Sequence, residues 1–362
     1  MYKELIKELE TEYLEEVVRP SFPFIKHFER VSWSDDSVSA PKVSFRIPET
    51  FSDFEGSDYY YPNADKFIHY TSFRNTVNII NDGFFRMNSL QYLDDPQELL
   101  YAGNEILGTY EKDELKDLKD QIFCISFCDY SKNGDNFDSW RLYGDNGLGV
   151  GIVFHFSSPT KGWRSNYLSK IHYGKNNLIN TTDEKYLKKF SLFRENHDKF
   201  IKKNKEKVNL LSNPFGRQGK IPEWIGVFLG FHKNGLYAIE NEVRFLRFHE
   251  SFDQHSFVLN NRNEKTYFDK LYIKTEANLK CIKEKTKDQI FKAKPNIWNS
   301  KWLEEATLNE PIAVIDKLII GYRQEKDFEI IQESLSDGFN KKNKQKIDVE
   351  LSPLARVFNP KQ

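Results

Sequence analysis

The chain has 362 residues, 53 of them basic and 54 acidic, for a net charge of -1; 39% are hydrophobic and 15% aromatic. That length supports a sizeable core in one large domain or two smaller ones, and the charge balance excludes a global nucleic-acid footprint while leaving room for a local basic patch. Three cysteines are too few, and odd in number, for a disulfide framework, which points to a reducing, cytoplasmic compartment. No apolar run reaches membrane-spanning length, so no membrane association is expected.

In chain order, "MYKELIKELETEYLEEVV" is acidic and repeats Leu5, Leu9, Tyr13 and Val17 every four residues. The spacing predicts an amphipathic helix over 2–18 and not a signal peptide. Pro20 and Pro23 stop it. Residues 31–62 show no clear period and read as a wrapping segment, which sets 1–62 apart from a single domain over 63–362. In "FIHYTSFRNTVNIINDGFF" (67–85) a strand hands over to a helix. Ser72 can cap that helix, Phe73, Val77 and Ile80 share one face, and Gly83 can end it. A strand near 84–90 follows, then a second helix in "DDPQELLYAGNEIL" with Asp95 as cap, Pro96 in the first turn and Glu98 as capping-box acid.

"QIFCISFC" (121–128) reads as a buried strand. Cys124 and Cys128 lie on it without His or further Cys partners, so they are expected to be buried thiols and not metal ligands. "DSWRLYGDNGLGVGIVFHF" predicts a short helix, a Gly-rich turn and a strand at 149–156. A Lys/Glu-rich helical insertion spans 183–212, with Leu187, Phe190, Phe193, Phe200 and Ile201 as its inner side. In "GLYAIENEVRFLRF" (235–248), Tyr237, Ile239, Asn241, Val243 and Phe245 alternate with Ala238, Glu240, Glu242 and Arg244, which predicts a strand with one apolar and one charged face. "IAVIDKLIIGY", "EKDFEIIQESL" and "KIDVEL" supply a late strand, a late helix and a last strand. The mixture is α+β in class and not regular βαβ winding.

The common enzyme motifs are absent. "GDNGLGVG" precedes a strand instead of opening a helix and lacks a Walker ending, and there is no nucleophile elbow or zinc-protease helix. Three polar pieces remain on otherwise apolar elements: His69-Tyr70-Thr71, Ser126 with Trp140, Arg141 and Tyr143, and Glu240-Asn241-Glu242-Val243-Arg244. Singly, each has a bland reading as a core histidine, a helix packing face or an ion-paired solvent face. Together they suit chemistry at a nucleotide sugar. A His can bond a ribose hydroxyl or phosphate, an aromatic ring can stack on a base, and an Arg fork can hold a pyrophosphate. A strand carboxylate can orient a ribose hydroxyl and stabilise an oxocarbenium as a glycosidic bond breaks. Nicotinamide is a good leaving group, so such a site needs positioning and electrostatics above all.

The order H-Y-T-S, D-D-P-x-E, F-C-I-S-F, W-x-x-Y-G with a Gly-rich strand, and E-x-E-x-R, spread over 65–325, resembles a broad bacterial family known only as a domain of unknown function. More distantly it resembles ADP-ribosyltransferases of the H-Y-E kind, including DarT-like toxins that modify DNA. This second resemblance implies a split pair of small mixed or antiparallel sheets clasping NAD, with flanking helices. It implies NAD as substrate, no metal, and cleavage of the nicotinamide–ribose bond with transfer to a protein or nucleic-acid acceptor, in a bacterial toxin or anti-phage defence effector. Carried onto this sequence, it makes His69 the anchor of the nicotinamide-side ribose and the Tyr70 backbone the partner of the carboxamide. Asn75 and Arg86 would lie near the adenosine or phosphates, Tyr143 would stack, Glu242 would be the catalytic carboxylate and Glu240 an accessory acid. Thr71, Ser126, Trp140 and Arg141 complete the candidate NAD-binding set. The sequence departs from the pattern in that His69 is followed by Tyr-Thr, not by the Gly-Thr of many poly-ADP-ribosylating enzymes, and two glutamates offer themselves for one role. A non-catalytic nucleotide-sensing or protein-interaction domain would use the same pocket. Lys202, Lys203, Lys205, Lys207, Arg217 and Lys220 form either a basic patch for nucleic acid or an ordinary solvated face.

Overall fold

The structure is a computed structural model that describes residues 2–33, 42–46, 51–61, 66–92, 119–157, 163, 165–174, 183–211, 214–215, 222, 224–248, 256–259, 265–293, 310–343 and 346–358. The helix expected at Asp95, the side chain of Leu187, and Arg217 and Lys220 lie outside the described residues. Along the chain run α1 (Tyr2–Tyr13), β1 (Glu29–Trp33), β2 (Lys42–Arg46), β3 (Phe67–Thr71), α2 (Phe73–Asp82), β4 (Phe84–Ser89), β5 (Ile122–Asp129) and α3 (Phe137–Leu142). Next come β6 (Val150–Phe156), β7 (Asn166–Lys170), β8 (His172–Tyr173), α4 (Asp183–Lys203), α5 (Ile225–Leu229), β9 (His232–Lys233), β10 (Glu242–Phe248), β11 (Ser256–Leu259) and β12 (Lys265–Tyr272). The chain ends with α6 (Glu276–Ala293), β13 (Ala313–Ile320), α7 (Phe328–Asn343) and β14 (Asp348–Leu351).

Local chemistry sets the ends of these elements. The Ser72 hydroxyl accepts the Asn75 amide at the start of α2, and Gly83, at φ 76, closes the helix through its amide on the Ile79 carbonyl. Asn136 caps α3 by accepting the Ser139 amide. α1 runs on into a π-turn, Leu14–Val18, and buries the expected stripe of Leu9, Tyr13 and Val17. Where a wrapping segment is expected over 31–62, Glu29–Trp33 and Lys42–Arg46 form the antiparallel pair β1–β2. The helical insertion breaks at Asn204 and resumes as Lys205–Leu210.

Ten strands of the described residues share one sheet in the order β11-β12-β4-β5-β3-β6-β13-β14, with β10 lying between β5 and β7. Its pairings are antiparallel except β13 with β14. The described residues are thus α+β, with one main mixed sheet that forks and the two-stranded sheets β1–β2 and β8–β9 beside it. β10 runs along β5 from Cys128 to Ile122. Each strand residue has only two edges, so β3 and β4 share the other one. β3 takes Cys128 and Asp129, while β4 takes Phe123 and Cys124. Between them, Ile125, Ser126 and Phe127 face the opening where β3 and β4 part.

Aromatic residues fill both sides. Phe67, Phe127, Phe154 and Phe156 pack edge to face or tilted, 4.8–6.4 Å apart. A second cluster joins the N-terminal segment to α4 and α5: Phe22 stacks on Phe228 at 5.0 Å, and Tyr13 stacks on Phe215 at 4.1 Å while its hydroxyl meets His197 Nδ1 at 2.9 Å. Residues before Lys66 therefore contribute to the main core.

The expectation for 235–248 is corrected. Gly235–Glu240 is a 3-10 turn, Asn241 takes the left-handed conformation at φ 43, and only Glu242–Phe248 is strand. Neither face of β10 is a charged solvent face, because Glu242 and Arg244 are buried. β10 is flanked on both edges and covered on both sides, so its charges are neutralised internally. Lys203 pairs with Glu12 and Glu16 of the N-terminal segment, and Lys207 pairs with Glu8, as on an ordinary solvated face.

Candidate functional site

Glu242 opens β10 opposite Cys128, with Arg244 opposite Ser126 on the same face. Its side chain is 4% exposed. Glu242 Oε1 accepts from the Ser126 hydroxyl and from Arg244 Nε at 2.7 Å, and Oε2 meets Lys233 Nζ at 2.6 Å. Burial opposes ionisation, but the Arg244 and Lys233 cations overcome it and hold the carboxyl down at about 2. An ionised carboxylate has about four acceptor positions, and these donors fill three. The Glu242 amide donates to the Tyr173 hydroxyl at 2.9 Å, which fixes the strand at this point.

Lys233 also donates to Glu240 Oε2 at 2.9 Å, so one ammonium joins two carboxylates. The left-handed turn at Asn241 lies between those carboxylates. Tyr143 closes α3 and hydrogen-bonds Glu240; burial and this carboxylate push the phenol far above its ordinary range. The residue is nonetheless 45% exposed. Two anions and two cations thus meet beside the end of β5. Cys128 Sγ lies 3.8 Å from the Glu240 carbonyl, and burial raises its thiol. Cys124 and Cys128 are both buried free thiols.

His69 stands at the fork. β3 is registered to β5 at Phe67 and Ile68, and beyond them His69 turns its Nδ1 to the Ser126 carbonyl at 3.1 Å. Its ring lies edge-on to Phe85 and Phe127; burial lowers its pKa against the opposing hydrogen bond to Ser126, which favours the neutral imidazole. A carbonyl only accepts, so Nδ1 carries the proton and Nε2 is left as an acceptor. One residue, Ser126, therefore links the two candidates that are 173 positions apart in sequence: its carbonyl holds His69 and its hydroxyl holds Glu242.

The other candidates divide. Thr71 is buried at the end of β3, and Gly149 packs so closely there that a Cβ would sit 2.2 Å from the Thr71 carbonyl oxygen. The Tyr70 hydroxyl and Trp140 Nε1 both turn to Asp135 Oδ1, at 3.3 and 2.5 Å, while Ser352 donates to Asp135 Oδ2. Trp140 is fully buried, so it is a core ring and not a stacking platform. Arg141 and Asn75 are exposed. Arg86 pairs with Asp82 at 3.7 Å and covers the Phe268 ring on the outer side of β4. Among the described residues, none of these three joins the Glu242 cluster. Sequence reasoning missed Lys233 and Tyr173. Each follows a histidine in a two-residue strand, and no local pattern marks them.

Among the described residues no group of three or more His, Cys, Asp and Glu is arranged to hold a metal ion, and no helix is long and apolar enough to cross a membrane. A family model described as "Protein of unknown function (DUF2971)" matches residues 139–245. This span holds Trp140, Arg141, Tyr143, Glu240 and Glu242, together with Tyr173, Lys233 and Arg244, and it excludes His69 and Ser126. No curated protein and no solved structure matches the chain.

Proposed function

We propose that this chain consumes NAD, cleaving the nicotinamide–ribose bond and transferring ADP-ribose to a macromolecular acceptor. The observation that carries this reading is the double link through Ser126, which ties neutral His69 and anionic Glu242 to one residue at the fork between β3 and β4. The Nε2 of His69 is an acceptor suited to a ribose hydroxyl. The remaining acceptor position of Glu242 suits the other ribose hydroxyl beside the reacting carbon. When the C–N bond breaks, its electron pair leaves with nicotinamide and positive charge develops on the sugar. A carboxylate held ionised at about 2 stays negative through that step at any physiological pH. Tyr143, partly exposed, offers its ring for stacking, and Glu240 remains the accessory acid nearest that ring. A protein or nucleic-acid acceptor, and a role as a bacterial toxin or anti-phage effector, belong to the same proposal.

A binding-only role, as a nucleotide sensor, is favoured by one observation: three of Glu242's acceptor positions are already occupied within the protein. The two readings separate with adenine-labelled NAD, offered with protein, DNA and RNA. Catalysis predicts label on an acceptor or free ADP-ribose, lost in Glu242→Gln. Thermal stabilisation by NAD with no product from either protein would support sensing, and neither stabilisation nor product would sink both.

A further inference from the structure

Behind the carboxylate cluster lies a second set of buried polar rings that the proposed chemistry does not use. β8 and β9 form a two-residue parallel bridge, pairing His172 with His232 and Tyr173 with Lys233. The bridge thus places a histidine pair one residue from two of the groups that hold Glu242, Tyr173 and Lys233. The imidazoles lie 5.1 Å apart, centroid to centroid. The Tyr186 hydroxyl meets His172 Nδ1 at 3.0 Å, and the Tyr59 hydroxyl meets His232 Nε2 at 3.0 Å. Of the remaining ring nitrogens, His232 Nδ1 is buried without a protein partner, while the His172 ring also meets the Asp58 backbone carbonyl.

We propose that the His172–His232 pair is a latch that is closed when both imidazoles are neutral, holding Tyr173 and Lys233 against Glu242, and that proton uptake by the pair opens the bridge and releases them. This goes beyond NAD chemistry and stands or falls separately from it.

The surroundings make charge on the pair costly. Facing it are Tyr59 and Asp58 from the segment before β3, Tyr186 and the apolar Phe190 from α4, and Lys185 and Lys189 of α4 on Asp58. On the bridge itself lie Tyr173 and Lys233, with Glu240 and Glu242 beyond. Burial lowers His172 to about 4; the Asp58 carboxylate and backbone carbonyl oppose it, and Lys185 and Lys189 add smaller pushes in the same direction as burial. Burial, then His172 itself, lower His232. The Asp58 carboxylate pulls toward an imidazolium, but it is already shared by two lysines, at 2.7 and 3.3 Å, and does not outweigh burial. Two imidazolium rings this close in a buried site repel, whereas an opened bridge lets each titrate near its ordinary 6.5. An imidazole neutral when closed and ordinary when open multiplies opening by about 30 at pH 5.

Hydrogen exchange reads this directly. The His172 amide donates to the Phe231 carbonyl at 2.8 Å, and the Gly174 amide donates to the Lys233 carbonyl at 2.8 Å. After correction for intrinsic rates, their protection and that of the Glu242 amide should fall at least tenfold between pH 7.5 and pH 5. Amides of the β13–β6 pairing should not change. The variant His172→Gln/His232→Gln should remove the pH dependence. Should that variant not fold, imidazole nitrogen NMR of the wild type decides: both rings neutral at pH 7 and charging together as protection is lost. Unchanged protection at pH 5, equal loss in β13–β6, a ring already charged at pH 7, or loss at the same pH in the Gln variant would overturn the proposal.

Discussion

Replacing Lys233 with Met removes the one ammonium that serves both Glu240 and Glu242. In the wild type the cluster is balanced, with Glu240 and Glu242 against Lys233 and Arg244. The variant leaves one carboxylate uncompensated where Glu240 and Glu242 side chains are only 11% and 4% exposed. A carboxyl held at about 2 against an ordinary 4.5 is stabilised in its charged form by about 3 kcal/mol. Arg244 and Ser126 retain part of this, but breaking a buried pair carries its own penalty, so a loss of about 3 kcal/mol is expected. Urea unfolding at pH 7.5, followed by tryptophan fluorescence, would show it as a lower midpoint. Glu240→Gln in the Lys233→Met background restores the balance and should recover at least about 1 kcal/mol, although alone it is expected to destabilise. A Lys233→Met protein within about 1 kcal/mol of wild type, or an equal effect of Glu240→Gln in both backgrounds, would refute the charge balance.

Acid should act on Glu242 with a defined sign. Its folded pKa is depressed, so its contribution is present above about 4.5 and is lost as pH falls through about 2; Glu242→Gln should flatten this limb of a stability–pH curve. Gly149→Ala would place a Cβ 2.2 Å from the Thr71 carbonyl oxygen and should cost about 2 kcal/mol or more, seen as a lower melting temperature. Gly338→Ala in α7 meets nothing within 4 Å and should stabilise by about 0.5–1 kcal/mol in the same assay. Trp140→Phe removes the indole bond to Asp135 and should cost about 2 kcal/mol or more in urea unfolding.

What was legible in the sequence was local. Ser72 and Gly83 could be assigned as caps because a hydroxyl and a left-handed glycine act on their own turn. The inner faces of α1 and α4 followed from spacing, and Tyr13, Phe190, Phe193 and Phe200 are buried. The errors arose where tertiary pairing overrides pattern. Glu240 and Glu242 alternate as on a solvent face, yet a lysine seven residues upstream of Glu240 neutralises them from another strand. Trp140 and Tyr143 are three apart on one helix, but Asp135 draws the indole into the core while Tyr143 remains partly exposed. The acidic N-terminal helix and the Lys-rich insertion were both visible, and their pairing became evident only in three dimensions. His172 and His232 carried no signal at all, since a two-residue parallel bridge leaves no periodicity.

The central claim is tested most directly by nicotinamide release from NAD by purified wild type and Glu242→Gln. The account predicts release by the wild type, at least a hundredfold slower in Glu242→Gln while that protein remains folded. No release by the wild type with any acceptor, or equal release by both proteins, would contradict it.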